Sequence, residues 1–470
     1  MFKKILCLVL IAALGVPACA CGSDKGSSKP SGVVNSVESV SSNDTESTAA
    51  GQKAADAVLT LKVKKGETTA FKSDRPYDKS KQDISLILVV GQSNFTTSVG
   101  FSSEYQHFID GKTDVAPEAP LSPAKGTVYS SAPKGSITAL TDDRDVSRLC
   151  DVSNLTRTMG GVCPSFGYQW NALTGTKVVF VQAAVGAVGV HEWTPDPENY
   201  YCECTNNGHG TLYADAVANY KRSYDALSEK YNIVYTGYIW NQGEHDEVFG
   251  APGKTNTVNS DLAYYTAYKS MHDGFMAELN LDFGGISVVR ADKAGGTAQG
   301  SMSLTIARNA QYKLCNDIDD LYMLSTISET CDHSMMDQSN TIHYAQATFN
   351  KMGVDCANNL AAYLKLLSEA PAFSGVELYS NAGIKICEFD ASGKAVTDDG
   401  TCFVPKGYLS DHLLCKLKTL GTGDILTSFA LTVGDKDMTG CIDEFGAISW
   451  DEILAEKPVK TVEIKCVIEL

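Results

Sequence analysis

The sequence is poor in positive charge, and its N-terminal apolar run is shorter than a membrane span. Its 39 lysines and arginines face 56 aspartates and glutamates, which leaves a formal net charge of −17. A basic nucleic-acid-binding surface is therefore not expected. The apolar run ILCLVLIAALGV at 5–16 is too short to cross a bilayer and stay there. The CEC motif at 202–204 has no second close pair with metal-ligand spacing, so no metal site is predicted.

The N-terminus instead has the features of an export signal. Two lysines precede the apolar run, and small residues stand before Cys19 and Cys21. This pattern resembles a bacterial lipoprotein signal over residues 1–21, in which either cysteine could become the lipidated N-terminus. The alternative is ordinary secretory cleavage near Ala18 or Ala20. In each case we expect an extracellular or cell-surface protein, anchored to the membrane if a cysteine is lipidated.

Cysteine usage agrees with export. The chain has 15 cysteines, and 12 remain when Cys7, Cys19 and Cys21 are set aside. An even number in an oxidising compartment favours disulfides. The pairing cannot be deduced, and neighbours in sequence provide only starting guesses: Cys150 with Cys163, Cys315 with Cys331, and Cys387 with Cys402.

The chain divides by composition into five segments. After the signal, residues 22–54 are rich in Ser, Gly, Asn and Thr and read as a flexible tether. Residues 55–82 form a lead-in segment whose AVLTLKV stretch at 57–63 suggests a short strand. The main domain covers 83–367, and no internal repeat is obvious. Residues 371–470 contain short strands between Gly, Asp and Ser turns, which predicts a β-rich accessory domain stapled by disulfides.

The main domain alternates strand-like and helix-like runs. Apolar strands are predicted at 84–90, 177–183, 233–240, 286–290 and 321–327, and amphipathic helices at 212–231, 261–280 and 345–367. Such apolar strands are typical of a parallel sheet that is covered on both faces. We therefore predict an α/β fold, a three-layer α/β/α sandwich with a mainly parallel sheet.

Polar residues follow the predicted strands, where parallel α/β sheets bind ligands. Ser93 comes after the first strand, and a helix starting near Asn94 would place it at a helix N-terminus. The turn at 186–187 follows the second strand, and the motif WNQGEHD at 240–246 ends the third. His343 precedes a helix. Together these residues form the inventory for acyl transfer: a nucleophile, oxyanion donors, an acid and a base.

These motifs, in this order, resemble the SGNH hydrolase superfamily. The matching segments are GQSN at 91–94, the Gly-rich turn that ends in Trp193, WNQGEHD, IARNAQ at 306–311, and a late His343 with Gly353 ten residues on. They resemble most the branch of sialate O-acetylesterases and carbohydrate esterase family 6. The resemblance covers roughly residues 83–365.

The resemblance implies a role for each matching residue. Ser93 would be the nucleophile and His343 the base. The oxyanion hole would be formed by the backbone N–H groups of Ser93 and of Gly186 or Ala187, with the Gln242 side-chain amide. Ala187 stands where the family usually has glycine. His333 is a rival base.

The third member of the triad is open. The family often has Asp three residues before the histidine, where this chain has Asn340. Glu244 is preferred, because the glutamate of this motif can serve in the branch. Asn340, whose neutral amide could still accept the imidazole N–H, remains an alternative, as do Asp337 and Asp332. Asp246 is expected to satisfy loop amides instead.

Substrate-binding candidates are the motif residues Gln92, Asn94 and Trp193, with His191 and His245 as rim residues. The implied function is a secreted or lipid-anchored serine esterase that removes acetyl groups from carbohydrates without a cofactor. Acetylxylan and O-acetylated sialic acid are both open as substrates, as is the oligomeric state. The alternative is an impaired, glycan-binding surface lipoprotein on the same scaffold, suggested by Asn340 and Ala187.

Overall fold

The structure is a computed structural model that describes residues 55–64, 71–96, 100–114, 116–121, 123–131, 149–151, 160–186, 188–196, 212–248, 260–290, 305–330, 335–337, 340–367, 372–380, 385–405, 413–419, 424–455 and 461–470. The predicted signal and tether lie outside these residues. In the described part of the chain, no helix has both the length and the apolarity needed to cross a membrane.

The strands, in chain order, are β1 (Ala55–Lys64), β2 (Gln82–Gly91), β3 (Val128–Ser131), β4 (Leu149–Asp151), β5 (Lys177–Gln182), β6 (Tyr231–Asn241), β7 (Phe283–Ser287), β8 (Leu321–Ser325), β9 (Met336–Asp337), β10 (Asn340–Tyr344), β11 (Gly375–Ser380), β12 (Lys385–Asp390), β13 (Cys402–Pro405), β14 (Leu413–Lys418), β15 (Ile425–Val433), β16 (Lys436–Asp437), β17 (Ala447–Ile448) and β18 (Thr461–Glu469). The α-helices are α1 (Phe101–Ile109), α2 (Cys163–Thr174), α3 (Leu212–Ser228), α4 (Glu244–Val248), α5 (Asp261–Leu279), α6 (Thr305–Asp317), α7 (Gln346–Tyr363) and α8 (Asp451–Ala455).

The largest sheet is mainly parallel, which confirms the predicted α/β class. Its strand order is β4-β3-β5-β2-β6-β7-β8, and the edge strand β4 pairs antiparallel with β3. The chain runs from β2 to one side of the sheet and returns through β6 on the other side. The carboxyl end of β2 is thus a topological switch point, where α/β sheets place their ligand sites.

Both faces of this sheet are covered by helices. Leu86 and Leu88 of β2 belong to a core that includes residues of α3, α5 and α6. The alternate residues Ile87 and Val89 belong to a second core with residues of α2 and α7. Successive side chains of a strand point to opposite faces. A continuously apolar strand is therefore what a sheet between two helix layers requires.

The C-terminal residues form a β-sandwich, but they do not form it alone. One sheet has the order β13-β18-β1-β15-β16 and the other β12-β11-β14-β17. Residues of both sheets, such as Leu61 of β1 and Leu378 of β11, share one hydrophobic core. The lead-in strand is thus a central strand, parallel to β18 and antiparallel to β15. The accessory domain therefore includes residues 55–64 in addition to 371–470.

The sandwich and the α/β domain are joined by a buried charge pair. Nζ of Lys416 on β14 lies 3.2 Å from Oε2 of Glu329, whose side chain is fully buried. Tyr379 of β11 also packs within the core formed by α3, α5 and α6. A buried charge without its partner is costly, so this contact opposes separation of the two parts.

No disulfide is formed between Cys387 and Cys402, the one guessed pair whose two side chains are both described, and the side chains of Cys150 and Cys331 lie outside the described part of the structure. Eight cysteine side chains are thiols: Cys163, Cys315, Cys356, Cys387, Cys402, Cys415, Cys441 and Cys466. Cys163, for example, is buried at the start of α2, and its Sγ accepts a hydrogen bond from Nε2 of Gln182. These thiols are held by apolar packing and polar contacts, and no disulfide links the described cysteines of the sandwich.

Candidate active site

The serine turn follows directly from the central strand of the main sheet. β2 ends at Gly91, whose φ of 112° favours glycine. A Cβ at this position would lie 2.3 Å from the carbonyl oxygen of Asn241 on β6, so only glycine permits this close approach. A 3₁₀ turn, Ser93–Phe95, comes next. The helix expected near Asn94 is thus a single 3₁₀ turn that begins at Ser93, and the first α-helix of the described residues begins at Phe101.

Ser93 and His343 meet beyond the carboxyl ends of the strands. Oγ of Ser93 lies 3.0 Å from Nε2 of His343, and both side chains are partly exposed. Burial lowers the pKa of His343, Asp337 opposes this effect, and Arg290 lowers the pKa further. The imidazole is therefore neutral at pH 7. A neutral Nε2 within hydrogen-bond reach of a hydroxyl can accept its proton.

Asn94 ties the serine turn to two other loops of the site. Its Nδ2 donates to Oε1 of Glu244 at 2.8 Å, and its Oδ1 accepts from the backbone N–H of Tyr344 at 3.3 Å. Tyr344 directly follows His343, so this amide helps to set the distance between the hydroxyl and the imidazole. Asn94 is fully buried, which contradicts its predicted contact with substrate.

Glu244 lies against Asn94 and not against the imidazole. Its Oε1 accepts the Asn94 amide, and its buried Oε2 has no hydrogen-bond partner in the structure. The position differs from the preferred interpretation, in which Glu244 orients His343. The cause is local, because Glu244 begins α4 directly after the turn that ends β6, and this turn aims its side chain at the serine loop.

Asp337 is the carboxylate that faces the histidine loop. It lies on β9, which forms a small antiparallel pair with β10, the strand that carries His343. Met336 pairs with Tyr344 and Asp337 pairs with Asn340, so His343 lies in an irregular stretch of β10 between these two paired positions. Asp337 is buried, and its charge partly opposes the lowering of the His343 pKa by burial. The backbone of Asn340 pairs with Asp337, while its side chain lies outside the described part of the structure.

Two of the predicted oxyanion donors are the backbone N–H groups of Ser93 and Gly186, which lie on neighbouring loops. The first hydrogen bond of the serine turn runs from Phe95 N to Gln92 O, so the turn itself does not use the N–H of Ser93. Gly186 is exposed, and a Cβ built on it would lie 3.5 Å from Cβ of Ser93. Its backbone therefore borders the nucleophile. Ala187, the other predicted donor, lies outside the described residues.

The Gln242 amide is not available as an oxyanion donor in this structure. Its Nε2 donates to the carbonyl oxygen of Val188 at 3.0 Å and to Oδ2 of Asp246. An amide nitrogen has two hydrogens, so both are in use. Gln242 is also fully buried. The prediction for this residue is therefore wrong in the geometry shown here, and its contacts support the loop instead.

Asp246 satisfies loop amides, as predicted. Its two carboxylate oxygens lie 3.2 and 3.1 Å from the backbone nitrogen of Val190, which donates to them. Burial raises the pKa of Asp246 to about 7. This carboxyl thus holds the Gly-rich turn against the end of β6.

The two histidines that flank the motifs are buried and do not lie at a rim. Burial lowers the pKa of His191 to about 4, with a further contribution from nearby His245. Burial also lowers the pKa of His245 to about 4. Both rings are therefore neutral at pH 7. The backbone N–H of His245 donates to Oε1 of buried Gln92 at 3.3 Å, so the Gln92 side chain braces this loop.

Trp193 cannot stack on a sugar in this structure. It is fully buried and packs edge-on against Trp240, with ring centroids 5.8 Å apart. The prediction that it binds substrate is therefore wrong here. A tryptophan after a Gly-rich turn can either bind a sugar or pack in the core, and only its burial in the structure distinguishes these two roles.

Several functional neighbours were not predicted from the sequence. Arg290 is buried near His343, and its position just after strand β7 is a signal that could have identified it. Helix α1 contributes Ser103 and His107 beside Asp337. No sequence pattern links this helix to the site, because only the fold brings it there.

Some candidates cannot be placed. Asp332 and His333 lie outside the described residues, as do Cys19 and Cys21. Within the part of the chain that the structure describes, no group of three or more His, Cys, Asp or Glu side chains is arranged to hold a metal ion.

Comparisons with known proteins give only weak likenesses. No family model matches the chain, and no curated protein matches it. A protein from Arabidopsis thaliana is similar in structure, with a TM-score of 0.38 and 16% identity over 61% of this chain and 98% of that one. A carbohydrate acetylesterase from Xanthomonas citri has a TM-score of 0.37 and 14% identity over 69% of this chain and 65% of that one. NanS has a TM-score of 0.33 and 12% identity over 61% of this chain and 98% of its own. These values are too low to assign a family.

Proposed function

We propose that this chain is a serine esterase that removes O-acetyl groups from carbohydrates. The observation that carries the proposal is the 3.0 Å contact between Oγ of Ser93 and Nε2 of His343 at the topological switch point of the sheet. A hydroxyl paired with a neutral imidazole is the core of nucleophilic acyl transfer. The carbohydrate substrate class is supported by the motif resemblance described above.

In the first half of the reaction, Ser93 attacks the acetyl carbonyl carbon while His343 takes the hydroxyl proton. The negative oxygen of the tetrahedral intermediate is bound by the backbone N–H groups of Ser93 and Gly186. The imidazolium then gives its proton to the departing sugar hydroxyl, which leaves an acetyl group on Ser93. Asp337 keeps the imidazole oriented and stabilises its positive charge.

In the second half, His343 takes a proton from a water molecule that attacks the acetyl-enzyme. The second tetrahedral intermediate collapses, His343 returns the proton to Oγ of Ser93, and acetate is released. Each step needs only the alcohol, the imidazole and water, so the proposal involves no cofactor.

The test is hydrolysis of 4-nitrophenyl acetate, followed by acetate release from acetylated xylans and O-acetylated sialosides. The purified protein is compared with Ser93→Ala. We expect the substitution to lower kcat by roughly 10⁴-fold or more, as in other serine hydrolases. Equal rates for the two proteins would refute the esterase function. Glycan binding that survives Ser93→Ala, without turnover of any acetylated glycan, would favour a binding protein on the same scaffold.

We also propose that the protein is exported and anchored by a lipid on Cys19 or Cys21. The N-terminal signal pattern supports this. Mass spectrometry of the mature protein from a bacterial membrane fraction, with Cys19→Ala and Cys21→Ala for comparison, would identify the modified residue. An unmodified N-terminus generated near residue 18 or 20 would show plain secretion instead.

A further inference from the structure

Helix α1 directs two polar side chains toward the carboxylate of Asp337. Ser103 and His107 are four residues apart, a spacing that places them on one face of the helix. Oγ of Ser103 donates to Oδ2 of Asp337 at 3.0 Å. Nδ1 of His107 lies 3.4 Å from the same oxygen. One carboxylate oxygen is thus held from one side by two neighbouring groups.

These contacts matter because Asp337 is buried. Only 2% of its side chain is exposed, whereas 20% of the His107 side chain is exposed. A buried carboxylate needs hydrogen-bond donors to offset its lost hydration. The same helix also brings Glu104 close, and its pKa is raised to about 7, mainly by burial and in part by Asp337. The surroundings of Asp337 are therefore supplied in large part by α1.

The two ring nitrogens of His343 face different groups. Nε2 of His343 faces Ser93, so Nδ1 is the nitrogen that a carboxylate would orient. Asp337 is the carboxylate on the neighbouring strand of the same hairpin. Its ability to hold the ring depends on its own side chain being fixed.

We infer that Ser103 and His107 are positioning residues that hold the Asp337 carboxylate in place for His343. The inference rests on the proposed esterase function and adds to it a helix outside the catalytic motifs. With Oδ2 held by α1, the carboxylate cannot rotate away from the hairpin without breaking both contacts. A fixed carboxylate keeps the imidazole in one tautomer and stabilises the imidazolium as it forms.

The kinetic test compares Ser103→Ala, His107→Ala and the double variant with Gln106→Ala. Gln106 is a matched control on the same helix, because it is exposed and contacts Asp110. We expect each single substitution to lower kcat about tenfold with KM nearly unchanged, as for the loss of one hydrogen bond to a charged group. Ser103→Thr and His107→Asn keep a donor and should retain most of the activity. Gln106→Ala should match the wild type.

A spectroscopic test separates positioning from general stability. In the full-length protein with labelled histidines, the Nδ1 proton of His343 should give a downfield NMR signal that disappears in His343→Gln. We expect this signal to shift or broaden in the double variant and to be unchanged in Gln106→Ala. A merely structural role would lower the unfolding temperature but leave the signal in the remaining folded protein unchanged.

The outcomes are distinguishable. Wild-type kcat and an unchanged His343 signal in the double variant would overturn the positioning role, while loss of activity in Ser93→Ala would still support the esterase function. If the wild type hydrolyses no acetyl ester, the esterase function fails. The His343 signal then decides by itself whether α1 positions the carboxylate.

Discussion

Asp337 and His343 lie on the two strands of one small hairpin, in which Asp337 pairs with Asn340 and Met336 pairs with Tyr344, the residue after the histidine. The two residues are six positions apart in sequence. The family pattern has the acid three positions before the histidine, where this chain has Asn340. The hairpin therefore offers a carboxylate from a position that the motif does not indicate.

The first prediction distinguishes Asp337 from Glu244 as the orienting acid. We expect Asp337→Asn to lower kcat by about 10⁴-fold, since a neutral amide stabilises the wrong tautomer and not the imidazolium. Glu244→Gln should have a much smaller effect, because its amide oxygen can still accept the hydrogen bond from Asn94. Steady-state kinetics on 4-nitrophenyl acetate provides the measurement. A larger loss for Glu244→Gln than for Asp337→Asn would show that Glu244 is the acid.

The second prediction concerns Gln242. Its amide hydrogens bind Val188 and Asp246, so Gln242→Ala should lower the free energy of unfolding by about 1–3 kcal/mol through the unpaired buried groups that it leaves. The kcat of the folded variant should fall less than about tenfold. An oxyanion donor would instead contribute about 10²–10³ in kcat.

Urea unfolding and kinetics on the same preparation test this point. Gly186→Ala is a variant to compare with Gln242→Ala in kcat and in urea midpoint. The substitution keeps the backbone N–H of residue 186, and the added Cβ would make only an ordinary contact with Ser93. A loss of 10²-fold or more for Gln242→Ala, at an unchanged urea midpoint, would restore its role in the oxyanion hole.

The third prediction is a pH dependence of stability that involves Glu104. Its pKa is raised from 4.5 to about 7 in the folded protein, mainly by burial. Between these two values the folded state binds a proton more tightly than the unfolded state, so raising the pH disfavours folding. As the pH rises from 4.5 to about 7, the contribution of Glu104 to the free energy of unfolding should therefore decrease. Above pH 7 that contribution should no longer change with pH.

Urea unfolding of the wild type and of Glu104→Gln at several pH values tests this expectation. The stability of the variant relative to the wild type should increase with pH through the window and then remain constant. His191 and His245 act in the opposite direction, since their lowered pKa values make protonation at acidic pH destabilising. They are present in both proteins and cancel in the difference. Parallel stability curves would contradict the role of Glu104.

The fourth prediction tests the place of β1 in the sandwich. Leu61 is fully buried between β15 and β18, so Leu61→Ala should lower the free energy of unfolding by about 2–5 kcal/mol. Lys62→Ala, one residue away on the exposed face, should change it by less than about 1 kcal/mol, because its ion pair with Glu469 is at the surface. Equal effects of the two substitutions would show that β1 does not belong to this core.

Much of the main domain can be predicted from the sequence. The runs at 84–90 and 233–240 are apolar throughout, and they form the central strands β2 and β6. Their continuous hydrophobicity reports burial on both faces, which is a local property of the chain. The sequence also predicts that Ser93 and His343 belong to one site, although His343 lies on β10 of a separate two-stranded sheet and not on a strand of the parallel sheet.

Other features depend on contacts that no short segment encodes. Trp193 and Asn94 have the composition of substrate-binding residues, yet the fold buries both of them. Glu244 turns toward Asn94, since the turn after β6 sets its direction. β1 is a weakly alternating strand near the N-terminus, and only its pairing with β15 and β18 makes it central.

By itself, the sequence determines which side chains are able to react and which strands precede them. It can do so because side-chain type and hydrophobic periodicity are properties of short segments of the chain. The tertiary structure alone decides which carboxylate faces His343, whether the Gln242 amide is free to donate, and that α1 lies beside Asp337. These are matters of direction and distance between distant segments. A difference of a few ångströms determines whether a polar group contacts the substrate, another loop, or the catalytic histidine.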